Sequence, residues 1–111
     1  MTSVLGVWGM PHLRFFFEYG VDTPLWPDEV DSPYGFPCDL DRLPVTPPTR
    51  NELGRLAEWY QSSLNQEYPP DPTPWPQHKR ELFNQQAITV LQVLRHELGD
   101  TWTVEDRFRP L

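Results

Sequence analysis

Cysteine is almost missing from this chain: Cys38 is the one thiol in 111 residues. It has no partner for an internal disulfide, which points to a reducing compartment and makes the cytoplasm the expected location. Basic residues are scarce too, nine Lys and Arg against sixteen Asp and Glu, for a net charge of −7. A phosphate-binding surface needs clustered Lys and Arg, so nucleic acid is excluded as a partner and an anionic membrane surface is disfavoured. No apolar run approaches the roughly 20 residues of a membrane-spanning helix. Residues 1–10 have neither a basic n-region nor a small-residue cleavage site, so no signal peptide is expected. Motifs are absent as well. There is no His-x-x-x-His or Cys-x-x-Cys spacing, no Gly-rich phosphate loop and no Gly-x-Ser-x-Gly elbow. The sequence thus carries no recognisable catalytic machinery and calls for no cofactor, and a role other than catalysis is expected.

What the chain does hold is aromatic residues and proline. Five Trp, four Tyr and six Phe bring aromatics to 14%, while hydrophobic residues overall reach only 38%. A buried aromatic ring removes roughly 150–250 Å² from water, so a few of them substitute for many aliphatics in a small core. Fourteen prolines lie among Trp, Tyr, Phe and Leu rather than Ser, Gln and Lys. They predict stiff, irregular connections instead of disorder. The length fits one domain, 1–111.

Residues 12–19 place Leu13, Phe15, Phe17 and Tyr19 on one face and Arg14, Phe16 and Glu18 on the other, the period of a strand ended by Gly20. Residues 3–8 are a weaker strand candidate, broken by Gly6 and Gly9. Seven prolines between Pro24 and Pro48 forbid a long helix or an inner strand there. Residues 49–64 carry Leu53, Leu56, Ala57, Tyr60 and Leu64 as one helical stripe. Thr49 with Glu52 forms a capping-box pattern, and Thr46 before Pro47 is a competing start. A proline-rich bridge over 66–76 follows, whose Tyr68 and Trp75 are expected to fold back on the core. The second helix runs to Leu98, with Phe83, Ala87, Val90, Leu91, Leu94 and Leu98 as its stripe and Gly99 at its end. Ile88 and Val93 widen that stripe, so cover on more than one side is expected. Trp102, Val104 and Phe108 then read as a last strand able to pair with the first. The prediction is an α+β fold, two antiparallel helices packed on a small antiparallel sheet with long proline-rich loops.

Each candidate for chemistry has a plainer structural account. His78 and His96 share a helical face but lie roughly 27 Å apart, too far to share a metal. His96 in the last turn suits the helix dipole. Cys38, next to Asp39 and near Asp41, has a thiol pKa that those charges raise, the opposite of a nucleophile, and reads as a half-buried loop cysteine. Asp39-Leu-Asp41 lacks the glycine and terminal glutamate of a calcium loop.

One feature survives. Between Phe15 and Asp41 there is no Lys or Arg, while seven acids alternate with Trp26, Tyr34 and Phe36. Either the rings plug the core and the acids keep the loop in water, or rings and acids together form a contact surface. On the second reading Asp22, Trp26, Asp28, Glu29, Asp31, Tyr34, Phe36, Asp39 and Asp41 are the partner-binding residues. Aromatic anchors ringed by charge characterise protein interfaces, and an acidic patch steers basic partners.

The runs Phe-Phe-Glu-Tyr-Gly (16–20), Leu-Trp (25–26), Tyr-Gly-Phe-Pro-Cys-Asp-Leu-Asp-Arg-Leu-Pro (34–44) and Leu-Ala-Glu-Trp-Tyr-Gln-Ser-Ser-Leu-Asn (56–65) resemble a group of small bacterial proteins. That resemblance spans about 15–108 and brings no established activity or site residues with it. In composition the chain is also similar to immunity proteins that neutralise bacterial toxins. Two functions are therefore weighed. One is an acidic protein-binding module, an immunity protein or antitoxin against a basic toxin. The other is a small enzyme or ligand-binding domain using carboxylates and a His in a pocket beside the sheet.

Overall fold

The computed structural model describes residues 11–111, so the strand expected over 3–8 lies outside the described residues. Elements follow in the order β1 (His12–Phe15), β2 (Leu25–Pro27), a 3-10 turn (Leu40–Arg42), α1 (Pro47–Ser63), α2 (Gln77–Leu98) and β3 (Thr103–Asp106). The fold is α+β: two helices on a three-stranded sheet of order β2-β1-β3.

The sheet is mixed instead of purely antiparallel. β1 pairs antiparallel with β2, Leu13 opposite Pro27, and parallel with β3, Leu13 opposite Val104. A short connection between β1 and β2 forces the antiparallel pair. β3 arrives only after both helices, and a strand reached by so long a crossover is free to run parallel. β2 is the strand that the prolines conceal. Among the described strands it sits at an edge, where Pro27 removes no ladder bond from an inner strand.

β1 is shorter than its alternating pattern. Phe16 N–H still donates to Pro24 C=O at 3.0 Å, but the chain then turns. Gln61 on α1 holds that turn: its Nε2 donates to the carbonyls of Glu18 (3.0 Å) and Val21 (3.1 Å), and its Oε1 accepts from Gly20 N–H (2.9 Å). Tyr19 is consequently turned out to water, 62% exposed, and leaves the face it shares by period with Leu13 and Phe15.

α1 starts at the competing site. Thr46 is the N-cap and Pro47 the first helical residue, where its missing N–H costs nothing. Thr49 lies inside the helix, and Glu52 pairs with Arg55 at 2.7 Å instead of closing a capping box. The orphan donors at this end are met from the other helix. Glu97 accepts from Thr46 N–H at 2.7 Å, from the Thr46 hydroxyl at 3.0 Å and from the Thr49 hydroxyl. α2 ends at Gly99, whose φ of +77° and N–H bond to Arg95 C=O close the last turn.

The helices are antiparallel. Thr46 and Thr49 meet Glu97, Arg55 meets Gln86, and Trp59 meets Phe83 and Trp75. Between helices and sheet lies one core containing Leu13, Phe15, Leu25, Leu53, Leu56, Phe83, Leu94 and Val104. Phe83 is its hub, in ring contact with Phe17, Trp59, Tyr60, Trp75 and Phe108. Burying such a ring contributes about 1.5–3 kcal/mol. Trp75 folds back on the core as expected. Tyr68 does not, because the Asn65 side chain captures the N–H groups of Glu67 and Tyr68 and turns the ring outward. The widened stripe of α2 is not covered either: Leu82, Ile88 and Val93 stay exposed, since only one face of the helix meets the sheet and α1. No helix among the described residues is long and apolar enough to cross a membrane.

Candidate functional site

Strand alternation gives the sheet two unlike faces. Leu13, Phe15, Leu25, Pro27 and Val104 point inward, leaving His12, Arg14, Trp26 and Glu105 on the face away from the core. Register places Arg14 beside Trp26 on one side and beside Glu105 on the other. A charge network joins them. His12 Nε2 lies 3.2 Å from Glu105 and its Nδ1 3.6 Å from Asp28. Arg14 donates to Pro27 C=O at 3.0 Å, with its Nε 3.9 Å from Asp28. Arg107 binds the second oxygen of Glu105. The bond from Arg107, then the one from His12, hold the Glu105 carboxyl below the usual range.

Beside this network the rings assemble. Phe16 and Trp26 are stacked, and Phe36 meets Trp26 edge-on with centroids 5.7 Å apart. Phe36 is 41% exposed, while Trp26 is half-buried and its indole N–H has no hydrogen-bond partner among the described residues.

The residues singled out in the acidic stretch are not all brought to one place. Trp26, Asp28 and Phe36 join the outer sheet face, and Glu29 and Asp31 are exposed in the turn just beyond. Tyr34 goes elsewhere, packing on Trp102 at 5.0 Å and against the core. Asp39 caps the 3-10 turn through Asp41 N–H and lies 3.7 Å from Arg42, and Asp41 lies 3.7 Å from Arg50. Asp22 is exposed in the β1–β2 connection. Sequence reasoning missed His12, Arg14, Phe16, Glu105 and Arg107. The signal for four of them lay in the alternation, which sets Arg14 and Phe16 opposite Leu13 and Phe15, and Glu105 and Arg107 opposite Val104 and Phe108.

Cys38 is fully buried rather than half-buried, and its N–H donates to Leu25 C=O at 2.9 Å. Its thiol is pushed up to about 12 by burial, not by the neighbouring carboxylates. Every other carboxylate with a clear shift, Glu52 and Glu97, is lowered, by Arg55 and by the Thr49 hydroxyl respectively. No group of three His, Cys, Asp or Glu among the described residues is placed to hold a metal ion.

A recess of about 430 Å³ opens at the end of the outer face, with Arg14, Arg107, Arg109, Phe16, Tyr60 and Phe108 in its walls. It meets a second, Tyr- and Pro-walled groove at Glu18 and Tyr60, where Tyr19, Tyr68 and Pro69 are found. Burial, and then the charge of Glu18, raise the Tyr60 hydroxyl above its ordinary pKa.

A family model described as Serratia CdiI immunity protein-like matches residues 11–106. The chain belongs to that family. The matched segment takes in all three strands and both helices, and hence most of the outer sheet face. Membership in an immunity-protein family carries an immunity role of that general kind, binding a cognate toxin protein. A comparison with curated proteins gave no match.

Proposed function

We propose that this CdiI-like immunity protein neutralises a basic toxin by laying its outer sheet face and acidic loop over it, and that it does so in the cytoplasm. The contact residues are Trp26, Asp28, Glu29, Asp31 and Phe36, with Asp22, Tyr34, Asp39 and Asp41 at the margin. The observation that carries this reading is the cluster of Phe16 stacked on Trp26 with Phe36 edge-on to it, bordered by the carboxylates of the turn that follows β2. A few central anchors, Trp prominent among them, supply most of the energy at protein interfaces, while surrounding charge sets encounter rate and partner choice. A lone buried thiol is consistent with a reducing compartment.

The test is association with the cognate toxin, followed by stopped-flow fluorescence at several salt concentrations. Reversing Asp28, Glu29 and Asp31 to Lys lowers the association rate by about tenfold and flattens its salt dependence, with a smaller change in dissociation. Association that is indifferent both to salt and to this reversal would refute a basic toxin as the partner.

A further inference from the structure

Three of the nine basic residues in a chain of net charge −7 converge on the recess beside the outer sheet face. Arg14 comes from the central strand, and Arg107 and Arg109 come from the segment after β3. Phe108 and Phe17, which pack against the core, hold the walls in place.

Among the described residues these guanidinium groups are not used up. Arg107 gives its Nε to Glu105. Arg14 gives one nitrogen to Pro27 C=O, while its buried Nε has no hydrogen-bond partner among the described residues. The nearest carboxylate oxygen, on Asp28, stands 3.9 Å away, beyond hydrogen-bond reach. No salt bridge among the described residues reaches Arg109.

We propose that the recess is a carboxylate subsite, filled in the complex by an Asp or Glu side chain of the toxin. The toxin as occupant rests on the immunity reading above; the carboxylate chemistry does not. A guanidinium presents paired N–H groups in a plane, the geometry that two carboxylate oxygens match. Phe16, Tyr60 and Phe108 line the recess, and apolar walls beside a guanidinium–carboxylate pair lower the local dielectric and strengthen it. Glu18 at the rim opposes a doubly charged phosphate more strongly than a singly charged carboxylate. In a predominantly acidic interface this subsite inverts the charge at one point. It thereby fixes the orientation of the toxin, because a partner that is basic throughout leaves it unpaired.

The chemistry is tested first without the toxin. Benzoate, benzyl alcohol and inorganic phosphate are titrated at constant ionic strength into 15N-labelled protein, following the Arg Nε–H resonances. Benzoate is expected to shift those of Arg14, Arg107 and Arg109 saturably, benzyl alcohol to leave them in place and phosphate to bind more weakly. Arg109→Gln should weaken benzoate several-fold with an otherwise unchanged spectrum. Absence of a saturable benzoate response, or tighter binding of phosphate, overturns the carboxylate assignment. The second arm uses the cognate toxin. Arg109→Glu should weaken its binding by about tenfold or more, equivalent to 1.4 kcal/mol, and saturating benzoate should compete with it. Unchanged toxin affinity on both counts overturns the toxin as occupant and leaves the immunity reading standing. A toxin that fails to bind even the unaltered protein sinks the immunity reading, and the benzoate titration then still decides the subsite.

Discussion

Trp26 lies flat on Phe16, with ring centroids 5.2 Å apart and planes 7° from parallel. One ring belongs to the edge strand β2 and the other to the first residue after β1, so the stack spans the two strands on the face turned from the core. Offset or stacked rings contribute about 0.5–1.5 kcal/mol beyond their buried area, which is enough to hold both side chains in fixed positions before a partner arrives. Rigid rings lose little entropy on binding, and this is what suits them to be anchors.

Phe36 is the ring of this group that water reaches most readily, at 41% exposure. Replacing it by Ala removes one edge contact to Trp26 and should cost about 1 kcal/mol of stability. Toxin affinity should fall much further, by about tenfold or more, because a ring at the centre of an interface is a common hot spot. Thermal melting and calorimetric titration of Phe36→Ala measure the two effects side by side. Equal small losses in both would place the ring outside the interface.

Gly35 sets where that ring stands. Its φ of +90° lies in the left-handed region, and a Cβ there would come within 3.0 Å of Pro37 C=O and 3.1 Å of Asp39 N. Both neighbours are backbone, so they yield only if the turn moves, and Asp39 N–H is held by Tyr34 C=O at 2.7 Å. Gly35→Ala should therefore lower stability by about 1–3 kcal/mol. It should also weaken toxin binding, because Phe36 shifts with the turn. An unchanged melting temperature for this variant would contradict the strained geometry.

The helices were legible because their apolar residues repeat at 3.6 over several turns, long enough for Phe83 to Leu98 to admit no other period. Strands β1 and β3 were legible from alternation alone. β2 was not: three residues ending in Pro27 contain no period to read, and only the ladder to β1 reveals it. The exposure of Tyr19 and Tyr68 depends on bonds from Gln61 and Asn65, side chains whose partners are invisible in a linear pattern. The outer face was half legible. Trp26, Asp28 and Phe36 stood out as an acidic, aromatic cluster, but His12 and Glu105 are 93 positions apart and meet only through the parallel pairing. Arg107 carried only the alternation of the last strand and Arg109 no pattern at all, and it is the recess that brings both together with Arg14.

Cys38 should be inert while the protein is folded. Burial holds its pKa near 12, so almost no thiolate is present at neutral pH. A thiol pKa raised by folding contributes stability that is whole below the ordinary thiol value and declines as pH rises towards 12. Iodoacetamide at pH 8 should leave the native protein unmodified and alkylate it fully in guanidinium chloride. Rapid labelling under native conditions would mean that the loop carrying Cys38 opens far more readily than its bond to Leu25 implies.

Glu97 ties the end of α2 to the start of α1, and the charge on it matters as much as the reach. Its carboxylate accepts from the Thr49 and Thr46 hydroxyls and from Thr46 N–H, at the positive end of the α1 dipole. These bonds, the one from Thr49 foremost, hold its pKa below the usual glutamate value. A carboxyl lowered by folding contributes stability that is complete above its unfolded pKa and is lost as pH falls through the folded one. Glu97→Gln keeps one acceptor oxygen but turns an amide N–H2 towards a hydroxyl and removes the charge. At neutral pH it should cost about 1 kcal/mol, the typical worth of a helix cap, and lower the melting temperature by about 4–8 °C. Below the glutamate range the gap should narrow, because the unaltered protein loses there what the variant never had. Glu58→Gln, an exposed change on α1, serves as the control and should leave the melting curve in place. Parallel pH profiles for Glu97→Gln and the unaltered protein would show that the helix end is held by packing and not by this carboxylate.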